Sequence, residues 1–207
     1  MSVFDEAERG RLAAAFRLLG ALFYSAPDTP DLAPFLDIIR QGKLSDEWPF
    51  GNREELAGIQ KQMAAGLDDG LLEARQRLFI GPDDFQAPAW GSVYLDREKV
   101  IFGDSTLELR WFLARNGMVM DTGLNEPEDH IGLLLWVASD FIAGARDDTL
   151  RELLEDHVLP WSGRYLELLL DHAGHPFYAA LAQLAALTLN GLAGSIAATP
   201  RRSVLYL

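Results

Sequence analysis

Apolar residues recur at helical spacing along most of the chain, and no strand–helix unit or internal repeat interrupts them. A helix with one apolar face needs a partner for that face. Where the sequence offers no sheet, the partner is another helix. Leu12, Ala15, Phe16, Leu19, Leu22 and Phe23 lay out one such face in the first helix, which the Pro-containing stretch 25–30 ends. Further helices are expected over 31–39, with Pro34 in the first turn, and over 54–65 and 71–79. In the second half, apolar spacing predicts helices over 131–143, 149–156, 161–170 and 176–189. The expected fold is an all-α bundle of about nine or ten helices. It forms a single domain over 1–207, with a lobe boundary near 118–125.

Charge and residue usage narrow the function. The formal charge is -13, from 31 acidic and 18 basic residues. A field of that sign repels phosphate backbones, so nucleic acid is not an expected partner, whereas a basic peptide is drawn in. The absence of cysteine excludes disulfides, thiolate catalysis and Cys-ligated metal centres. The first sixteen residues are acidic and helical in pattern, unlike a signal peptide. The longest purely apolar run, 131–138, is far short of a membrane span. A soluble protein that is not exported is the expectation.

Residues 81–103 break the helical pattern. They carry two prolines, three glycines and the aromatics Phe85, Trp90, Tyr94 and Phe102. A loop this apolar must lie against the protein body or against something that binds. A short extended pair is expected over 92–95 and 99–102. Ser105 then stands three residues before Glu108, the spacing of a capping box for a helix ending at Asn116-Gly117.

The stretch NEPEDHIG, 125–132, concentrates carboxylates, an amide, a proline and a histidine before an apolar helix. One reading is helix initiation. Pro127 fits a first turn, and Glu128 and Asp129 then fall at its positive end. The other is a functional surface, because His130 is not explained by capping charge. Metal chemistry has no pattern here: HEXXH is absent, and the spacing of His130, His157, His172 and His175 specifies no geometry. No G-x-S-x-G elbow, GxxxxGK or GxGxxG occurs. A helical hydrolase using Asp121, Asp129 and His130 remains as the enzyme alternative.

Six ordered pieces then change the balance: RLFIGP at 77–82, WGSVYLDRE at 90–98, FGDSTLELR at 102–110, NEPEDHIG at 125–132, HVLPW at 157–161 and DHAGHPFYAAL at 171–181. Together they resemble the TorD/DmsD family of redox-enzyme maturation chaperones, and its DmsD-type branch in particular. The resemblance implies an all-helical, non-catalytic cytoplasmic protein without cofactor or metal. Its function would be to bind the twin-arginine leader of a molybdopterin-containing reductase subunit of the dimethyl sulfoxide reductase type. It would delay Tat export until that cargo has folded around its cofactor. The partners implied are the leader and precursor of that subunit and the Tat translocase, with the chaperone a monomer or homodimer. Guanine-nucleotide binding, suspected for some members, is not carried over as a requirement.

The family hallmark E-P-x-D-H falls on Glu126, Pro127, Glu128, Asp129 and His130. The implied leader-contact set is Arg75, Trp90, Gly103, Asp104, Asn125, Glu126, Pro127, Asp129 and His130. Arg75 is a departure, standing where DmsD-type chains commonly carry Trp. It is expected to hydrogen-bond a leader carbonyl or to pair with a carboxylate of the protein.

Overall fold

A computed structural model describes residues 3–82, 84–120 and 126–207. Helix α1, Glu6–Tyr24, starts at Asp5, whose side chain accepts the Glu8 N–H while Glu8 returns the bond to Asp5 N–H. It lies along α8, Ile131–Ala143. The two backbones can approach because Gly20 faces Gly132. A Cβ at Gly20 would stand 2.7 Å from the Gly132 carbonyl oxygen, and one at Gly132 2.8 Å from that of Gly20. Ser139 Oγ and Trp136 Nε1 donate across the same seam to the carbonyls of Ala13 and Arg17.

After a 3-10 turn, Pro30–Leu32, come α2, Ala33–Arg40, and α3, Leu44–Glu47. Helix α4, Arg53–Ala65, is begun by an Asn52–Glu55 capping box and packs on α11, Pro176–Ser195. Helix α5, Leu71–Arg75, runs into a π-helical turn, Gln76–Ile80. Helix α6, Gly91–Leu95, and α7, Asp104–Arg115, follow. Helix α9, Asp147–Glu152, then continues through a second π stretch, Leu153–Val158, into α10, Leu159–His172, which packs on α11. Pro160 therefore sits inside a continuous helical run rather than between two helices. The π stretch ends just where its missing N–H would be needed. One hydrophobic cluster takes side chains from both sides of 118–125, including Phe16, Phe23, Phe141, Trp161 and Phe177. Residues 121–125 of the expected lobe boundary lie outside the described residues.

The fold is all-α, as the periodicity predicts, with no strand among the described residues. Three local expectations are corrected. The extended pair over 92–95 and 99–102 does not form; the first half is α6, because its N-terminal N–H groups find acceptors in the 126–130 turn. The Ser105–Glu108 capping box is also absent. Asp96 takes the Ser105 N–H at 3.2 Å and its hydroxyl at 2.7 Å, and Gly103 is the N-cap. Finally, α11 is long and apolar enough, by length and composition, to cross a membrane, which the unbroken-run criterion missed. Its Phe177, Leu181, Leu184, Leu189 and Leu192 are instead buried in the bundle core.

Candidate functional site

The E-P-x-D-H turn precedes α8 instead of starting it. Pro127 is buried outside the helix, and its carbonyl accepts the His130 N–H at 3.3 Å. His130 is the N-cap of α8: its Nδ1 accepts the Gly132 N–H at 3.1 Å. A ring nitrogen that accepts carries no proton, so the imidazole is neutral with its proton on Nε2. Burial, and then the positive charge of Arg75, push its pKa down to about 3.

The turn is tied to the aromatic loop by backbone pairing. Trp90 and His130 form an antiparallel bridge, with Ile131 N–H donating to Ala89 O at 2.8 Å and Gly91 N–H to Asp129 O at 3.1 Å. Side chains reinforce the junction. Trp90 Nε1 donates to Glu126 Oε1 at 2.5 Å, and the Trp90 ring meets His130 edge-on with centroids 5.6 Å apart. Tyr24 also meets the His130 ring edge-on, with centroids 5.3 Å apart, and leans on Trp136 at 5.2 Å. Phe85 packs against Trp90.

Asp129 caps a different helix from the one expected. Its Oδ2 accepts the Ser92 N–H at 2.6 Å, at the start of α6. Burial pushes the carboxyl pKa up, against the backbone N–H that favours the anion. Its other oxygen, Oδ1, is buried without a well-formed hydrogen bond, beside the equally buried hydroxyls of Ser92 and Thr106. Glu126 is also raised, first by burial and then by the neighbouring Asp129 charge, with the Trp90 N–H opposing. Glu128 holds Arg110 of α7 through both oxygens at 2.8 Å. Arg110 in turn lies over the Phe102 ring.

The expected contact residues therefore divide. Trp90, Glu126, Pro127, Asp129 and His130 meet at one junction. Gly103 and Asp104 stand at the head of α7, which joins the junction through Arg110. A Cβ at Gly103 would lie 2.0 Å from Asp96 Oδ2, so only glycine lets Asp96 reach the helix. Asp104 is exposed in the first turn. Asn125, and Asp121 of the hydrolase alternative, lie outside the described residues. Arg75 pairs with no carboxylate among the described residues: it donates to the carbonyls of Tyr24, at 2.7 Å, and Ser25, at 3.0 Å, closing the last turn of α1.

Sequence reasoning missed Tyr24, Trp136 and Arg110 as members of this neighbourhood. Arg110 ends the quoted FGDSTLELR motif, so a signal existed for it; the two aromatics sit inside ordinary helical patterns. Trp136 also borders an apolar groove of about 770 Å³ between α1, α2 and α8, lined by Leu18, Ala21, Phe35 and Ile38. Among the described residues, no three or more His, Asp or Glu side chains are arranged to hold a metal ion.

Known proteins match this chain in sequence over most of its length. The family model described as nitrate reductase delta subunit matches residues 45–167. The Tat proofreading chaperone DmsD of Salmonella paratyphi A is 44% identical over 182 residues, which is 88% of this chain and 89% of that protein. The probable Tat proofreading chaperone DmsD of Haemophilus influenzae is 42% identical over 84% of this chain and 86% of its own. The chaperone protein YcdY of Escherichia coli is 34% identical, over 81% and 86%. Likeness of this extent, to relatives that are chaperones and not enzymes, places the chain in the TorD/DmsD family.

Proposed function

We propose that this protein is a Tat proofreading chaperone. It binds the twin-arginine leader of a molybdopterin-containing reductase subunit of the dimethyl sulfoxide reductase type, and releases it for export after cofactor insertion and folding. Family membership at 44% identity to a protein of that name is the observation that carries this reading. The site chemistry supports it. A leader presents two arginines followed by an apolar segment. Carboxylates receive guanidinium forks, and aromatic walls cover apolar chain. Glu126 and Asp129 precede His130 in the turn, and Tyr24 links the His130 ring to Trp136, which borders the α1–α2–α8 groove.

In this reading Trp90, Gly103, Asp104, Asn125, Glu126, Pro127, Asp129 and His130 form or position the leader surface. Arg75 shapes it from behind by holding the end of α1. The protein acts in the cytoplasm, before export, as a monomer or homodimer, and hands its cargo on towards the translocase. The hydrolase alternative loses ground because Asp129 and His130 are each occupied in capping a helix. The deciding experiment is affinity purification from cells making the natural cargo, followed by identification of the bound chain. Recovery of a reductase precursor with its leader attached is expected. Recovery of mature, leaderless reductase alone would exclude leader recognition.

A further inference from the structure

Residues 199–207 read Thr-Pro-Arg-Arg-Ser-Val-Leu-Tyr-Leu: two adjacent arginines followed by an apolar run. The proposed function assigns that same order of chemistry to the ligand. The segment forms neither helix nor strand, yet it is held against the body at three places. Thr199 N–H donates to Glu155 Oε1 at 2.8 Å, Arg201 N–H to Glu155 O at 2.8 Å, and Tyr206 N–H to Tyr94 O at 2.9 Å. The Arg201 guanidinium donates to Glu108 Oε2 at 3.0 Å and stands 3.8 Å from Asp156 Oδ1. Arg202 is exposed.

Arg201 sits at a crevice between α6, α7 and the second π stretch, and Asp129 and His157 share its lining. Glu108 comes from α7 and Asp156 from the π stretch, so the rim brings together two carboxylates that repel each other unless a cation stands between them. Deeper in, Asp129 is only 4% exposed, and its Oδ1 has no well-formed hydrogen bond. Carboxylates on two sides of the rim, with Asp129 in the lining below them, suit a planar, multiply donating cation better than a compact ammonium.

We propose that this crevice is the guanidinium subsite of the leader surface, that Arg201 fills it in cis, and that residues 199–207 compete with an arginine-pair leader for it. The inference rests on the leader-binding reading above and adds where an arginine is received and what guards the place. A cis occupant lowers the apparent affinity of an external ligand by the fraction of time it holds the site. It also keeps the acidic rim neutralised when no cargo is present. Because Arg201, Glu108 and Asp156 are all partly exposed, their pairs are individually weak, and a leader can displace them.

The test is titration of a synthetic leader, an arginine pair followed by an apolar stretch, against the full chain and its Arg201→Gln and Arg202→Gln variants. Arg201→Gln is expected to bind about three- to tenfold tighter, and Arg202→Gln to match the parent. A leader with both arginines replaced by glutamine is expected to gain nothing from Arg201→Gln. In the parent, leader addition is expected to speed hydrogen exchange at the Tyr206 amide as the segment lifts. Equal or weaker leader binding by Arg201→Gln, or unchanged Tyr206 exchange at saturating leader, overturns the competition while leaving the chaperone reading standing. Failure of parent and variant alike to bind the leader overturns both.

Discussion

The Asp129 carboxylate receives the backbone N–H of Ser92, 37 residues earlier in the chain, at 2.6 Å. This contact fastens the E-P-x-D-H turn to α6, and it separates what Asp129 does for the fold from what its charge does for a ligand. Asparagine keeps an acceptor for Ser92 and deletes the charge. Asp129→Asn is therefore expected to fold with a stability within about 1 kcal/mol of the parent. It should bind an arginine-pair leader more weakly than the parent does. Asp129→Ala loses the cap as well and should cost about 1–2 kcal/mol. Denaturant midpoints and leader titrations on both variants check this; an Asn variant that binds the leader as tightly as the parent removes Asp129 as an arginine receptor.

His130 makes stability depend on pH in a definite direction. Unfolded, a histidine takes up a proton near pH 6.5; folded, this one resists protonation until about 3. The unfolded state thus binds more protons between those values. The stability that neutral His130 supplies is complete above about pH 6.5 and is lost as pH falls towards 3. His130→Asn can still accept the Gly132 N–H but does not titrate. Unfolding free energies at pH 7 and pH 5 should diverge less in that variant than in the parent. An identical pH 7 to pH 5 difference in the two proteins would count against a buried neutral imidazole.

The α1–α8 seam depends on the absence of a side chain at Gly20. An added methyl would press within 2.5 Å of Trp136 Cδ1 and 2.7 Å of the Gly132 carbonyl. Gly20→Ala should destabilise by about 1–3 kcal/mol, because backbone on one side leaves only Trp136 free to move. Thermal melting reads this directly. Intrinsic Trp fluorescence should shift too, since Trp136 borders the groove.

Trp90 joins the loop to the turn by one side-chain hydrogen bond and one ring contact, and packs on Phe85 of its own loop. Trp90→Phe keeps the rings and removes the bond to Glu126. The expected stability change is below about 1.5 kcal/mol. Leader affinity should fall, because Glu126 loses the donor that holds its carboxylate in place. Strong destabilisation with unchanged affinity would make Trp90 a structural residue only.

With a formal charge of -13, the protein attracts a basic leader from a distance, while burial of the leader's apolar part is insensitive to salt. Affinity measured from low to high ionic strength should weaken without vanishing. A flat salt profile would remove the electrostatic half of the account.

Much of the fold lay in the sequence because helical periodicity is local. Leu12, Phe16, Leu19 and Phe23 define a buried face whatever they pack on, and no competing strand pattern intrudes. The motifs around 77–82, 90–98 and 125–132 likewise carried the family and named Trp90, Glu126, Asp129 and His130 before their contacts were visible. What those side chains do was decided by tertiary structure. Local rules assign Asp129 to the helix that follows it, yet its partner is Ser92, brought close by the Trp90–His130 bridge. Local rules let Ser105 cap α7, yet Asp96 reaches that N-terminus because Gly103 leaves room. Arg75 was legible as a departure, but its acceptors at the end of α1 lie about 50 residues away in the chain. An unpaired N–H or C=O takes the best acceptor or donor that folding brings near, and chain proximity is only one way of bringing it there.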